Sequence, residues 1–320
     1  MRRVEAEWNE AVRRDLRILA RDDAEYPSLL AALPDPPVVL YVKGDLPDGR
    51  VRLALVGSRR ATAYGRQIAR GLDADLARLG VEVVSGGARG IDTWAHRGAL
   101  EAHGRTIAVL GCGFAHTYPP ENEALFEAIV ASGAIVSEFP IENAPLAENF
   151  PRRNRLISAL SAGTIVVEAT NKSGSLITAG HALEQGREVM AVPGPVTSEQ
   201  SQGCHRLIQQ GAKLVQTVED VLAELSPMYL QALATASGEP SDADPGPPKE
   251  PFRGLSPDEV AVLALFDDPR PVHVDRLAEN ATFGVARLQT ALFGLALRRC
   301  IDPMAGGYYV ARPRNKAHGS

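Results

Sequence analysis

From Val51 onward the chain alternates short, nearly unbroken apolar runs with longer stretches in which apolar residues recur every three or four positions. The runs are RLALVG (52–57), VEVVSGG (81–87), TIAVLG (106–111), AIVSEF (134–139), TIVVEA (164–169) and EVMAVPG (188–194), with a shorter AKLVQ (212–216). Their length and their glycine-rich ends predict buried strands; the 3.6-residue periodicity between them predicts helices near 65–79, 91–103, 121–131, 150–161 and after Ser175. Strands that are apolar on both faces and alternate with helices imply a mostly parallel sheet covered on both sides. This is a doubly wound α/β domain, over residues 51–230.

The flanks follow different patterns. Residues 1–50 contain an amphipathic helix candidate at about Glu7 to Ala20 and one short apolar run before Gly44, a small adjunct leaning on the sheet. Residues 231–254 lack apolar periodicity and are rich in Pro, Gly, Ser and Asp, as in a flexible linker. In residues 255–312 periodicity returns: a helix after Ser256-Pro257-Asp258-Glu259, a second near Val274 to Glu279, a third from about Val285 to Arg298, then a hairpin over Asp302 to Val310. Three helices and a hairpin predict a winged-helix domain, with residues 313–320 as a tail.

Composition narrows the function classes. The 320 residues are 45% hydrophobic and 23% charged, ordinary for a globular protein, and no run approaches the ~20 apolar residues of a membrane span. Cys112, Cys204 and Cys300 are too few and too scattered for a disulfide framework or a zinc site, which points to a reducing cytoplasm. The net charge of −5 does not exclude nucleic acid, because local clustering of cations matters more than their sum.

That clustering occurs where the strands end. In doubly wound sheets ligands bind at the carboxyl ends of the strands, near a topological switch point. Those ends carry Gly57-Ser58-Arg59-Arg60, Ser85-Gly86-Gly87, Arg152-Arg153-Asn154-Arg155 and Lys172-Ser173-Gly174-Ser175. Pro151 suits the first turn of a helix, so the arginines after it should gather at that helix's start. Guanidinium forks, hydroxyls and free amides at helix N-termini suit phosphate. Ser173 and Ser175 are read as phosphate-binding hydroxyls rather than nucleophiles, since GxSxG is absent.

Other chemistries fit less well. The GCG at 111–113 has His116 where a dinucleotide fingerprint needs its third glycine, and no GxxxxGK[ST] stretch exists. Asp92 and His96, four apart on one helical face, lack a third metal ligand and read as a pair bracing the glycine loop. No metal or cofactor is expected. The third helix of the winged-helix segment is mostly apolar, which favours a structural or protein-contact role over reading of bases.

The strings LALVGSRRATAYG (53–65), VVSGGARGIDTWAHRGAL (83–100), TIAVLGCG with YPPEN (106–122), SEFP with FPRRNRLISALS (137–161) and VVEATNKSGSLITAGHALEQGREVMAVPG (166–194) run in order over nearly 150 residues. Together they resemble the DNA-processing protein A (DprA/Smf) family. The resemblance implies an extended Rossmann-like domain that binds single-stranded DNA without catalysis, forms a homodimer and loads the RecA recombinase in natural transformation. It also implies a DNA pocket lined by the positions of Ser58, Arg59, Gly86 and the RRNR and SGS segments. Many members carry a larger N-terminal helical domain, whereas about 50 residues precede the sheet here. With aromatic residues at 5%, contact should be led by the DNA backbone, through Arg59, Arg152, Arg153, Arg155 and amides near Gly86 and Gly174. The competing expectation is a nucleotide-processing enzyme, a phosphoribohydrolase on the same fold, with Glu168 and Glu184 as the nearest carboxylates.

Overall fold

The computed structural model describes residues 2–236, 256–266, 272–281, 283–297, 300–304 and 308–311. They belong to two compact units, Met1–Glu239 and Pro240–Ser320.

The first unit opens with α1 (Arg2–Arg13), β1 (Arg17–Ala20), the single turn α2 (Ser28–Ala31) and β2 (Val39–Gly44). Strand and helix then alternate through β3 (Arg52–Val56), α3 (Ala63–Arg78), β4 (Glu82–Ser85), α4 (Ile91–Glu101), β5 (Thr106–Val109), α5 (Glu123–Ser132) and β6 (Ala134–Ser137). They continue through α6 (Asn149–Ala159), β7 (Gly163–Val166), α7 (Ser175–Glu184), β8 (Glu188–Ala191), α8 (Gln202–Gln209) and β9 (Lys213–Leu214), and α9 (Val218–Ala223) and α10 (Pro227–Ala236) close the unit. The strands form one nine-stranded sheet in the order β1-β2-β6-β5-β4-β3-β7-β8-β9. β3 to β9 are parallel, while β1 and β2 add an antiparallel edge through β2 and β6.

Two features at the N-terminus differ from the sequence expectation. The helix candidate over residues 7–20 ends at Arg13, where Asp15 adopts φ 56° and turns the chain into strand β1. The expected adjunct is built into the sheet, and Leu19, Leu40 and Val42 share one core with Val136 and Leu156. At the other end α10 runs to Ala236, past the start of the expected linker, whose residues 237–254 lie outside the described residues.

Alternation along β3 shows how the sheet is covered. Ala54 and Val56 face the core made with α6 and α7, through Leu156, Ile157, Ala179 and Ala182. Leu53 and Leu55 face the opposite core, made with α3 and α4 through Leu72, Leu76, Ile91 and Ala95. At the amino end of β3 and β4, Arg52 and Glu82 form a buried ion pair at 2.9 Å, with Arg105 on the second carboxylate oxygen at 2.6 Å. The pole opposite the strand ends is thus locked by charge.

The second unit has α11 (Pro257–Leu263), β10 (Val272–His273), α12 (Val274–Asn280), α13 (Val285–Leu297), β11 (Ile301–Met304) and β12 (Tyr308–Ala311). Ser256 and Glu259 close a capping box on α11, and a three-stranded sheet β10-β12-β11 forms the wing. Val262, Leu277, Leu288, Leu292, Leu295 and Ile301 make its core. The expected tail at 313–320 lies outside the described residues.

Candidate nucleic-acid interface

Sheet order reverses at β3, which lies between β4 and the late strand β7. After β3 the chain turns to α3 on one face; after β7 it turns to α7 on the other. The loops part over the carboxyl ends, and the crevice between them is a cavity of about 670 Å³.

Residues from three of the four expected segments meet there, while the loop after β4 reaches the cavity through Ala88 and not through Ser85, Gly86 or Gly87. Gly57, Ser58, Arg59, Arg60, Arg153, Asn154, Ser173, Gly174 and Ser175 line the cavity. The loop after β3 is tied down at both ends. The Ser58 carbonyl accepts from the Ile91 amide at 3.0 Å, and its hydroxyl accepts from the Arg60 amide at 3.0 Å. Thr62 donates its amide to Glu168 at 2.9 Å and its hydroxyl to the same carboxylate at 2.5 Å, while capping α3 through Gly65. Held this way, the loop presents the exposed Arg59 and Arg60, and neither makes an ion pair among the described residues.

Arg153 has a different task. It is 3% exposed and donates to the carbonyls of Gly86, at 2.9 Å, and Val109. Burial lowers its pKa to about 10, against the pull of Asp92, so it stays protonated at neutral pH. Asp92 in turn accepts from the Gly86 and Ala88 amides at 3.2 and 3.3 Å, its pKa raised by burial and held back by Arg153. The Gly86 amide, expected as a neutral donor for phosphate, is therefore already taken. A Cβ on Gly86 would lie 2.7 Å from both Arg153 and Asp92, so glycine is needed for this brace rather than for ligand approach. His96 does not join Asp92: it bonds Thr106 at 2.7 Å, buried and neutral, with its pKa near 3 because of burial.

The remaining expected residues stand outside the cavity lining. Ser85 is buried and donates to the Leu55 carbonyl at 2.7 Å; Gly87 is a buried turn residue at φ 64°. Arg152 is exposed and lies over Phe139, 5.8 Å from the ring centre. Arg155 is bound to Glu138 and to the Asp35 carbonyl. Lys172 is exposed on the loop before α7. Gly174 caps α7, and the Asn154 amide holds its carbonyl at 3.2 Å, which aims the first turn of that ten-residue helix at the cavity. An anion there meets the positive end of the helix dipole.

Composition alone concealed an aromatic pair. Tyr118 and Phe150 line the cavity with ring centres 5.3 Å apart, and the Arg59 guanidinium lies 5.1 Å above Phe150. They are 32 positions apart, so no local pattern joins them. Their rings, tilted 43° to each other, and Arg59 give a half-exposed aromatic surface that a base could stack on. Glu199 brings one exposed carboxylate to the rim. As for the enzymatic expectation, both oxygens of Glu168 are engaged by Thr62, and Glu184 lies exposed on α7 beside His181.

Comparison with known proteins gives the chain's family. The family model described as DNA recombination-mediator protein A matches residues 17–226. The chain belongs to this family. A model of the DprA winged helix domain matches residues 245–307. Protein Smf of Escherichia coli is 42% identical over 305 residues, covering 92% of this chain and 77% of that one. DNA processing protein DprA of Bacillus subtilis is 47% identical over 210 residues, 65% of this chain and 70% of its own. Among solved structures, DNA processing protein A from Streptococcus pneumoniae superposes with a TM-score of 0.62 at 40% identity, over 67% of this chain and 75% of its own. The Helicobacter pylori protein does so at 0.58 and 30% identity, over 66% and 97%. The family match begins at residue 17, where β1 starts, so the antiparallel edge falls within the matched region.

Within the winged-helix unit, α13 buries Leu288, Leu292 and Leu295 and exposes Gln289 and Phe293. Its Arg287 makes a two-pronged bond to Asp258 at 2.8 and 2.6 Å and lies over Phe283. The basic group at the start of this helix is thereby committed to its own domain.

Proposed function

We propose that the cavity at the β3–β7 switch binds single-stranded DNA, and that the protein is a recombination mediator of its family's kind. In this reading it protects incoming single strands and loads RecA in natural transformation, as a cytoplasmic homodimer without cofactor, metal or catalysis. The observation that carries the DNA reading is the unpaired Arg59–Arg60 corner beside the start of α7 and the Tyr118–Phe150 pair. Cations and helix amides there suit phosphate, and the rings suit unpaired bases. Support also comes from the related Helicobacter pylori protein, described by its single-stranded DNA binding mode. The RecA, dimer and transformation parts rest on family membership. No helix among the described residues is long and apolar enough to cross a membrane.

Fluorescence anisotropy with labelled oligothymidine and a matched duplex, at several salt concentrations, tests the reading. Wild type should prefer the single strand, with a log–log salt slope of about −0.7 per phosphate contact. Arg59→Ala/Arg60→Ala should lose about tenfold or more in affinity, with a slope shallower by about 1.4. Equal weak binding of both oligonucleotides, untouched by the substitutions, would overturn the assignment. Release of free base from nucleoside monophosphates would instead favour the phosphoribohydrolase alternative.

A further inference from the structure

A second groove lies on the outer face of the α3–α4 layer, enclosing about 550 Å³ and lined by Arg66, Arg70, Gly71, Arg78, Trp94 and Glu101 among others. The α3 positions recur every three or four residues, so they form one stripe, and the buried stripe of the same helix carries Ala69, Leu72 and Leu76. Ala63, Gly71 and Ala74 keep its floor shallow. Two of its arginines are neutralised, Arg70 by Glu101 at 2.5 Å and Arg78 by Asp75. Arg66 and Arg97 are exposed and make no ion pair among the described residues. Arg97 lies over the half-buried Trp94, 5.0 Å from the ring centre.

We propose that this groove is a second contact for single-stranded DNA, taking up the strand after it leaves the cavity at the β3–β7 switch. The inference rests on the single-strand reading of that cavity. Continuity is the first argument. Arg60 lines the cavity, Ala63 lines the groove, and only Ala61 and the α3 cap Thr62 separate them. A strand passing Arg60 is delivered to the start of the groove, which follows α3 for about 22 Å at ~1.5 Å per residue. Chemistry is the second. Unpaired guanidinium groups in a chain of net charge −5 mark a place where phosphate is attracted locally. An arginine lying on an indole is the platform on which any unpaired base can stack, without sequence preference. A duplex would present its paired, stacked bases to no such surface.

The test uses the full chain and oligothymidines of about 5 and about 20 nucleotides, near the lower end of and above usual single-strand site sizes. Arg66→Gln/Arg97→Gln should bind the longer strand about tenfold more weakly, with a salt slope shallower by about 1.4, and bind the shorter strand as wild type does. Its melting curve should be unchanged, both residues being exposed. In a Trp8→Phe background Trp94 is the only tryptophan left of two, and its emission should change with the longer strand and not with the shorter. Wild-type affinity for the longer strand, equal weakening for both lengths, an effect on duplex alone, or a silent Trp94 would each overturn the proposal. Failure of the cavity reading shows separately, as Arg59→Ala/Arg60→Ala leaving the shorter strand unaffected.

Discussion

Arg59 and Arg153 have the same side chain and opposite uses. Arg59 is exposed on a loop whose hydrogen bonds other residues supply, so its charge is available to a ligand. Arg153 is buried with its guanidinium on the Gly86 and Val109 carbonyls, and it ties the loop after β4 and the end of β5 to α6. Arg153→Gln should therefore destabilise the fold by roughly 2–3 kcal/mol, the scale of lost hydrogen bonds to a charged group. Arg59→Ala should stay within about 0.5 kcal/mol. Melting curves and DNA titrations on the two variants separate the roles. A stable Arg153→Gln protein with weakened DNA binding would show instead that Arg153 touches the strand directly.

The helix α6 sets those roles by rotation. Successive residues on a helix turn by about 100°, so Arg153 points away from Arg152 and Arg155, which lie about 60° apart and reach different partners. One meets Phe139 and solvent, one the strand ends, and one Glu138 and Asp35. The loop between β3 and α3 depends in the same way on a partner outside itself, Glu168 at the end of the β7 run. Glu168→Ala leaves the Thr62 amide without its acceptor, a loss of about 1–3 kcal/mol in loop stability. It should weaken oligothymidine binding several-fold and leave the salt slope unchanged, because no phosphate contact is removed. A shallower slope would contradict the positioning role.

At the scale of the whole molecule, two buried groups set a pH dependence of stability with opposite signs. His96 has a folded pKa near 3 against 6.5 in the free side chain, because burial disfavours its charge. The unfolded chain therefore takes up the proton first, and stability present above pH 6.5 is lost as pH falls toward 3. Asp73 is buried in α3, neither oxygen has a hydrogen-bond partner among the described residues, and burial raises its pKa well above 3.8. Its contribution is full below pH 3.8 and is lost as pH rises through the elevated folded value. His96→Gln should flatten the acid limb of the stability profile. Asp73→Asn should stabilise the protein at neutral pH by on the order of 1–3 kcal/mol, with no gain near pH 3.5. Denaturation followed between pH 3.5 and 8 checks both, and parallel profiles for variants and wild type would refute them.

The sequence by itself determined the parallel sheet, its cover of helices, the winged-helix unit and the loops that carry the candidate site. Those are local facts: apolar runs of strand length, helical periodicity and glycine at the turns. Ser58-Arg59-Arg60 was legible because it follows its strand directly, and Ser173-Gly174-Ser175 because it leads into a helix. Tertiary structure alone decided which cations are free, since a partner such as Glu138 or the Gly86 carbonyl is distant in the chain from the arginine it engages. It alone joined β1 and β2 to the sheet, because pairing with β6 spans about a hundred residues and leaves no periodic trace. It alone brought Tyr118 to Phe150 beneath Arg59. Composition counts aromatic residues, and only the packed loops decide which of them share a surface.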